Sequence, residues 1–303
     1  PDLDHSQPDV VKHLVEDGRH WIRSVRPAAI RVDAVRHLDV PFLNAWIAAM
    51  QSESGTPVAF AGEIFDGNAA AIAAEVKATG LTHSFDFPLY YAITEGLCES
   101  GDLRKIPAAL TQDRLYPRNH QWITFLDNHD TARVATVCGE QTQAAIALLM
   151  SLRGIPSITW GTTQGLKGTT ELEARGDMVF DKTPLHQFVA DRLDERRSFT
   201  ALTIGKTEWL TVQAEQIAFA RVTENDALIA SVGPSSQRPT LPADAGNPTW
   251  LKLSDTGIHR WLLTPEPGTT FEAWSARLTA ALETTKTVTL QTAGGSYISG
   301  SDP

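Results

Sequence analysis

The sequence predicts an α/β fold followed by an antiparallel β part, and three observations carry that prediction. Through roughly the first 195 residues, short apolar runs with strand spacing alternate with segments of helical spacing, the pattern of parallel βαβ units. Polar and charged residues gather at the C-terminal ends of those runs, where parallel sheets and barrels keep their sites. From about Ser198 the helical periodicity gives way to short runs separated by turn residues, which suggests hairpins.

Taken in order, Pro8 to Val25 places Val10, Val11, Leu14, Val15, Trp21, Ile22 and Val25 at helical spacing, with Pro8 suited to a first turn. Ala29 to His37 follows as a strand. Period two puts Ile30, Val32 and Ala34 on one face and Arg31, Asp33 and Val35 on the other. An arginine and an aspartate on one face of an apolar strand are costly to bury unless they pair. A structural salt bridge and a carboxylate held ionised both fit that segment. Leu43 to Met50 reads as a helix, and Pro57 to Ile64 as a strand ending on Glu63. Ala69 to Ala78 is a helix stopped by Gly80. His83 to Phe87 is a short strand, and Tyr90 to Ser100 and Leu103 to Leu110 are amphipathic.

Trp122 to Asn128 and Ser157 to Thr162 read as the next two strands. Between them Gln141 to Leu152 is a helix with Ala145, Ile146, Leu149 and Leu152 inward, ended by Gly154 and Pro156. Leu185, Phe188, Val189 and Leu193 mark one more helix. The runs Glu208–Gln213, Ile217–Val222, Ala227–Val232, Trp250–Leu253 and Arg260–Leu263 predict an antiparallel sheet. Pro265-Glu266-Pro267-Gly268 is a linker-like break. A helical segment at Phe271 to Leu282 and a strand at Thr287 to Gln291 precede a Gly/Ser-rich tail.

Composition narrows the function. A net charge of −10 offers no basic stripe for nucleic acid. No apolar run approaches the roughly 20 residues that span a bilayer. Cys98 and Cys138 lack metal-ligand spacing, and core packing or a disulfide both remain open. Eight tryptophans fit a sugar-binding surface, although core packing accounts for them as well. Trp46, Trp122 and Trp160 read as core, with Trp160 near the mouth of a pocket. His83, His120 and His186 carry no motif, and Asp66 and Asp86 read as loop hydrogen bonders.

Three acids, Asp33, Glu63 and Asp130, stand at or just past the ends of three of the predicted strands. Glycoside hydrolysis uses an ionised nucleophile and a protonated acid flanking one bond. Arg31 would pair with Asp33, and Gly62 would leave room for substrate beside Glu63.

The residues around these acids resemble the α-amylase family, glycoside hydrolase family 13. Arg31-Val32-Asp33-Ala34-Val35-Arg36-His37 is similar to its fourth-strand motif and Gly62-Glu63 to its fifth. Phe125-Leu126-Asp127-Asn128-His129-Asp130 resembles the seventh-strand motif, and Pro1-Asp2-Leu3-Asp4 an extra motif before the fourth strand. The resemblance implies Asp33 as nucleophile, Glu63 as acid/base, and Asp130 with His129 holding the 2- and 3-hydroxyls of the sugar. It places Asp127 at a strand end with no direct chemical role. It further implies substrate contacts from Arg31, Arg36 and His37, and on the donor side from Glu171 and Arg175. There, however, the family's Asp-Pro-x-Asn-Arg has become Glu171-Leu172-Glu173-Ala174-Arg175. Calcium is implied too, held by Asp2 and the carbonyl of His37.

The fold so implied is strands four to eight of a (β/α)₈ TIM barrel, followed by an antiparallel β-sandwich C-terminal domain. Residues 1–197 would be barrel, 198–264 the β domain, and 265–303 a linker with the possible start of a starch-binding module. Five strands do not close a barrel that takes about 250 residues, so the chain is expected to be a fragment lacking the first three strands. The expected activity is retaining hydrolysis of α-1,4-glucans by a monomer that is secreted or periplasmic and binds neither nucleic acid nor membrane. A cyclodextrin glucanotransferase-type transglycosylase is the alternative within the family. A non-catalytic carbohydrate-binding relative or an inactive fragment is the alternative outside it.

Overall fold

A computed structural model describes residues 3–116, 121–223, 225–233, 251–255, 258–263 and short strands at 287–288, 290–291 and 297–298. Asp2, His120, the 265–268 break, the 271–282 segment and most of the tail lie outside the described residues. Five parallel strands follow one another in sheet order: β1 (Ala29–Val32), β2 (Ala59–Gly62), β3 (His83–Phe85), β4 (Trp122–Thr124) and β5 (Ile155–Pro156). Helical segments connect them, and neighbours in sequence are neighbours in the sheet, as in part of a (β/α)₈ barrel. The chain forms two units, residues 1–88 with 112–123, and residues 89–111 with 124–303.

In the first unit α1 (Pro8–Val25) lies against α2 (Val40–Ser54). Gly18 permits the close approach, because a Cβ there would sit 2.5 Å from Met50 Sδ. The indole of Trp46 seals the contact by donating to the Leu14 carbonyl at 3.1 Å. Ile22 is buried, but Trp21 and Val25 are exposed, contrary to the expected inward stripe. The stripe that packs runs through Gly18 and Ile22, four apart, and Trp21 lies about 100° round the helix from Ile22. α3 (Ala69–Thr79) starts where Asn68 Oδ1 accepts from the amides of Ala70 and Ala71, and Gly80 closes it in the left-handed region. Val32, Val35, Leu43, Phe60, Ile64, Ile72 and Trp122 form the core between sheet and helices.

In the second unit α4 (Phe87–Ile93) continues as a π-helical turn over Thr94–Glu99, so the expected amphipathic segment Tyr90 to Ser100 lies in helical structure that begins at Phe87. α5 (Lys105–Leu110) follows, and α6 (Val134–Val137) leads into α7 (Thr142–Ser151). α7 is buried on every side from Ala144 to Ser151, where the sequence predicted one inward stripe. Its last carbonyls are met by Arg196, whose Nη1 donates to Met150 O at 2.7 Å and Leu152 O at 3.0 Å. Burial holds that guanidinium down to about 10. Cys98 and Cys138 are joined as a disulfide closing a loop of 40 residues, which resolves what their spacing left open.

The strands β4 and β5 are shorter than expected, and β5 sits two residues earlier. Ser157 still donates to the Thr124 carbonyl, but beyond it the hydroxyls of Thr159 and Thr162 bond to Asp127 and replace the ladder. After α8 (Glu171–Ala174), α9 (Pro184–Ser198) and α10 (Thr200–Ile204), the chain turns to β6 (Lys206–Val212), β7 (Ile217–Val222), β8 (Ala227–Val232), β9 (Leu251–Asp255) and β10 (Ile258–Leu263). These make an antiparallel sheet in the order β6-β7-β8-β10-β9, matching the expected hairpins.

Candidate active site

At the end of β1 the chain makes a tight turn. Asp33 follows the strand directly, and Ala34 takes φ 46°, the left-handed region that L-residues with a Cβ avoid at a cost of about 1–2 kcal/mol. That conformation turns the Ala34 amide toward Glu63, whose Oε2 accepts it at 3.1 Å. Glu63 is itself placed by the sheet, since its amide donates to Val32 O at 2.9 Å and its carbonyl accepts from the Val35 amide. The two carboxylates thus share one backbone turn.

Arg31 joins them. Its Nη1 lies 2.5 Å from Asp33 Oδ1 and its Nη2 3.2 Å from Glu63 Oε1. The pairing expected with Asp33 therefore extends to Glu63, so one guanidinium fork holds both acids. Their surroundings differ: the Glu63 side chain is 10% exposed and that of Asp33 69%. A buried and an open carboxylate beside one cation are suited to unlike roles. The Arg31 guanidinium also lies over the Phe85 ring.

A hollow of about 620 Å³ is lined by Trp21, Arg31, Asp33, His37, Phe42 and Trp46, among others. His37 thus reaches the neighbourhood of Asp33. Arg36 instead forms an ion pair with Asp66, whose other oxygen accepts from the Asn68 amide. Asp66 is the loop hydrogen bonder the sequence suggested. Gly62 also serves packing, because a Cβ there would press on Leu81 Cδ1 at 2.4 Å and Val35 Cγ2 at 3.1 Å.

The second unit gathers His129, Asp130, Glu171 and Arg175. Asp130 Oδ2 lies 2.9 Å from His129 Nε2, and Oδ1 accepts from Arg175 Nη2 at 2.6 Å. The same Nη2 lies 2.6 Å from Glu171 Oε1, and Arg175 Nε donates to the His129 carbonyl at 3.2 Å. Beneath them Asp127 is buried. It accepts from the Val134 amide at 3.0 Å and from Thr162 Oγ1 at 2.8 Å, with Arg133 Nε 3.3 Å away. Burial pushes its carboxyl above the ordinary range, against the pull of those donors.

Sequence reasoning did not single out Arg133, which is fully buried and donates to the Trp160 carbonyl and to Thr162. A lone arginine after Asp130 carried no pattern that could mark it. Trp160 is not core as expected. It is 41% exposed, its ring stacks beside His129, and its indole donates to Gly176 O. Trp122 is core, stacked on Tyr116.

For calcium, the described residues supply the carbonyl of His37, while Asp2 lies outside them. Calcium takes about six to eight oxygens. Among the described residues no group of three or more His, Cys, Asp and Glu side chains converges to hold a metal.

Comparison with known proteins matches residues 1–215 to the alpha amylase catalytic-domain family. A beta/alpha-amylase of Paenibacillus polymyxa is 27% identical over 249 residues, covering 77% of this chain and 20% of that protein. A cyclomaltodextrin glucanotransferase of Bacillus licheniformis is 26% identical over 249 residues, covering 79% of this chain and 34% of that protein. The chain therefore spans about a fifth to a third of the length of these relatives. Among solved structures, an Anoxybacillus alpha-amylase superimposes with a TM-score of 0.78 at 21% identity, over 89% of this chain and 66% of that one, a likeness of fold. With the motif residues in place and most of the chain matched by the family model, the chain belongs to the alpha-amylase catalytic-domain family.

Proposed function

We propose that the protein is a retaining glycoside hydrolase acting on α-1,4-glucans. The observation that supports this reading most is the shared Arg31 fork, which sets an open carboxylate, Asp33, beside a buried one, Glu63. Asp33 attacks the anomeric carbon while Glu63 gives its proton to the glycosidic oxygen, so the C–O bond breaks and the leaving sugar departs as an alcohol. A covalent glycosyl-Asp33 ester remains. Glu63, now ionised, takes a proton from water as the water displaces Asp33, and two displacements return the starting anomeric configuration. The motif resemblance gives Asp130 and His129 the task of holding sugar hydroxyls, with hydrogen bonds that strengthen as the ring flattens. No step is routed through a metal. Where bound, calcium would hold the loop that carries His37, with Asp2 as a second ligand.

The likeness to a cyclomaltodextrin glucanotransferase supports a second reading, in which a glucan hydroxyl replaces water in the second displacement. Product analysis separates the two, since transfer yields cyclic or elongated glucans. For location, the Cys98–Cys138 disulfide supports an oxidising compartment, hence export or a periplasmic site. Among the described residues no helix is long and apolar enough to cross a membrane.

The testing experiment compares Glu63→Gln and Asp33→Asn with the unsubstituted protein on soluble starch. Both should lose release of reducing ends while still binding maltooligosaccharides by calorimetry. Full turnover in either variant contradicts the assignment.

A further inference from the structure

We propose that Arg175 is a positioning residue that acts through Asp130, not a direct contact to a remote sugar. The inference rests on the reading above in which Asp130 accepts sugar hydroxyls. A carboxylate offers about four lone-pair sites, two on each oxygen. Arg175 occupies one on Oδ1 at 2.6 Å, and His129 Nε2 faces Oδ2 at 2.9 Å. The Asp130 amide is fixed as well, donating to Asn128 Oδ1 at 2.8 Å. Clamped on both oxygens, the carboxylate has one direction left on each in which to accept a hydroxyl.

The arginine is held as a built part would be. Two of its three nitrogens are engaged, since Nη2 also meets Glu171 Oε1 and Nε meets the His129 carbonyl. Its backbone amide donates to Glu171 O, closing the one-turn helix α8. The next carbonyl, Gly176 O, accepts the indole N–H of Trp160. Upstream, Gly168 accepts from the Arg133 amide and donates to Thr136 Oγ1. A Cβ at Gly168 would lie 2.5 Å from the backbone of Glu173, so this loop is packed against itself. Arg175 therefore approaches Asp130 from a loop tied on both sides. Glu171 pairs with the same nitrogen.

The test is a double-mutant cycle with Arg175→Ala, Asp130→Asn and both together, measuring kcat and KM on maltotriose and maltoheptaose and sugar binding by calorimetry. Arg175→Ala should lower kcat/KM about 10- to 100-fold, equally for both lengths and mainly in kcat, as expected for a misplaced group near the chemistry. Added to Asp130→Asn it should cost less than about threefold more, since the two residues act as one unit. Arg175→Lys should recover part of the loss, because a lysine keeps the charge but not the fork. If Arg175→Ala unfolds the loop, Arg175→Lys carries the comparison in the same cycle. A loss confined to maltoheptaose, confined to KM, or persisting in full on Asp130→Asn overturns the inference alone. An Asp130→Asn variant with unchanged turnover and binding overturns the reading of Asp130, and this inference with it.

Discussion

The Nη2 of Arg31 lies 3.2 Å from Glu63 Oε1, while Nη1 of the same guanidinium lies 2.5 Å from Asp33 Oδ1. A single cation therefore orients the proposed proton donor and the proposed nucleophile together. Arg31→Ala should reduce kcat/KM on starch by about 10²- to 10³-fold, the scale of removing one electrostatic contact aimed at a reacting group. Arg31→Lys should remain much closer to the alanine variant than to the parent, since an ammonium does not bridge two carboxylates as a fork does. A lysine variant with parental kinetics would contradict the shared-fork account.

The turn after Asp33 makes a claim about backbone shape. Ala34 stands at φ 46° so that its amide reaches Glu63. Ala34→Gly should be tolerated within about 0.5 kcal/mol, because glycine relieves the left-handed strain as it adds chain entropy. Ala34→Val should cost about 1–3 kcal/mol, a β-branched side chain being strained there. Thermal unfolding of the two variants decides it, and equal melting points would refute the strained turn.

Glu173 closes the capping box of α8. Its Oε2 accepts the Thr169 amide at 2.8 Å, Thr169 Oγ1 at 2.7 Å and the Thr170 amide at 3.2 Å. These bonds, the Thr169 amide first, hold its carboxyl at about 2 against an ordinary 4.5. The folded value is depressed, so its contribution is complete above 4.5 and is lost as pH falls toward 2. Amide protection in residues 169–175 should decline across that window in the parent. In Glu173→Gln it should be lower and flat. A parallel decline in both would show that another group is titrating.

The disulfide closes a loop of 40 residues, worth about 4 kcal/mol by the chain-entropy relation. Reduction, or Cys98→Ala with Cys138→Ala, should lower the stability of the second unit by about that amount in urea unfolding. An unchanged midpoint would mean the bridge does not constrain the unfolded chain.

Much of the fold was legible because it rests on local patterns. The strand–helix alternation through β1 to β3 and the hairpins of β6 to β8 are properties of short stretches, although the strand read to His37 ends at Val32, where the chain turns through a left-handed Ala34. Misplaced elements had long-range causes. Beyond β5, Thr159 Oγ1 takes the Asp127 carbonyl and Thr162 Oγ1 its carboxylate, contacts some 30 residues away in sequence. Trp160 was read as core, though near a pocket mouth, and it is exposed, with Arg133 bonded to its carbonyl and its indole to Gly176. At the candidate site, Asp33, Glu63, His129 and Asp130 stood out through motifs. The double pairing of Arg31 was hidden, since it depends on the register Val32↔Gly62 that brings Glu63 level with Asp33. The packing of Gly62 against Leu81 and Val35 was hidden for the same reason, those neighbours being distant in sequence.

The most direct measurement is the anomeric configuration of the first sugars released from an α-1,4-glucan, followed by NMR before mutarotation. Two displacements at Asp33 and Glu63 predict α-anomeric products from the outset, with Asp33→Asn and Glu63→Gln releasing none. β-Anomeric products appearing first would contradict the covalent route through Asp33.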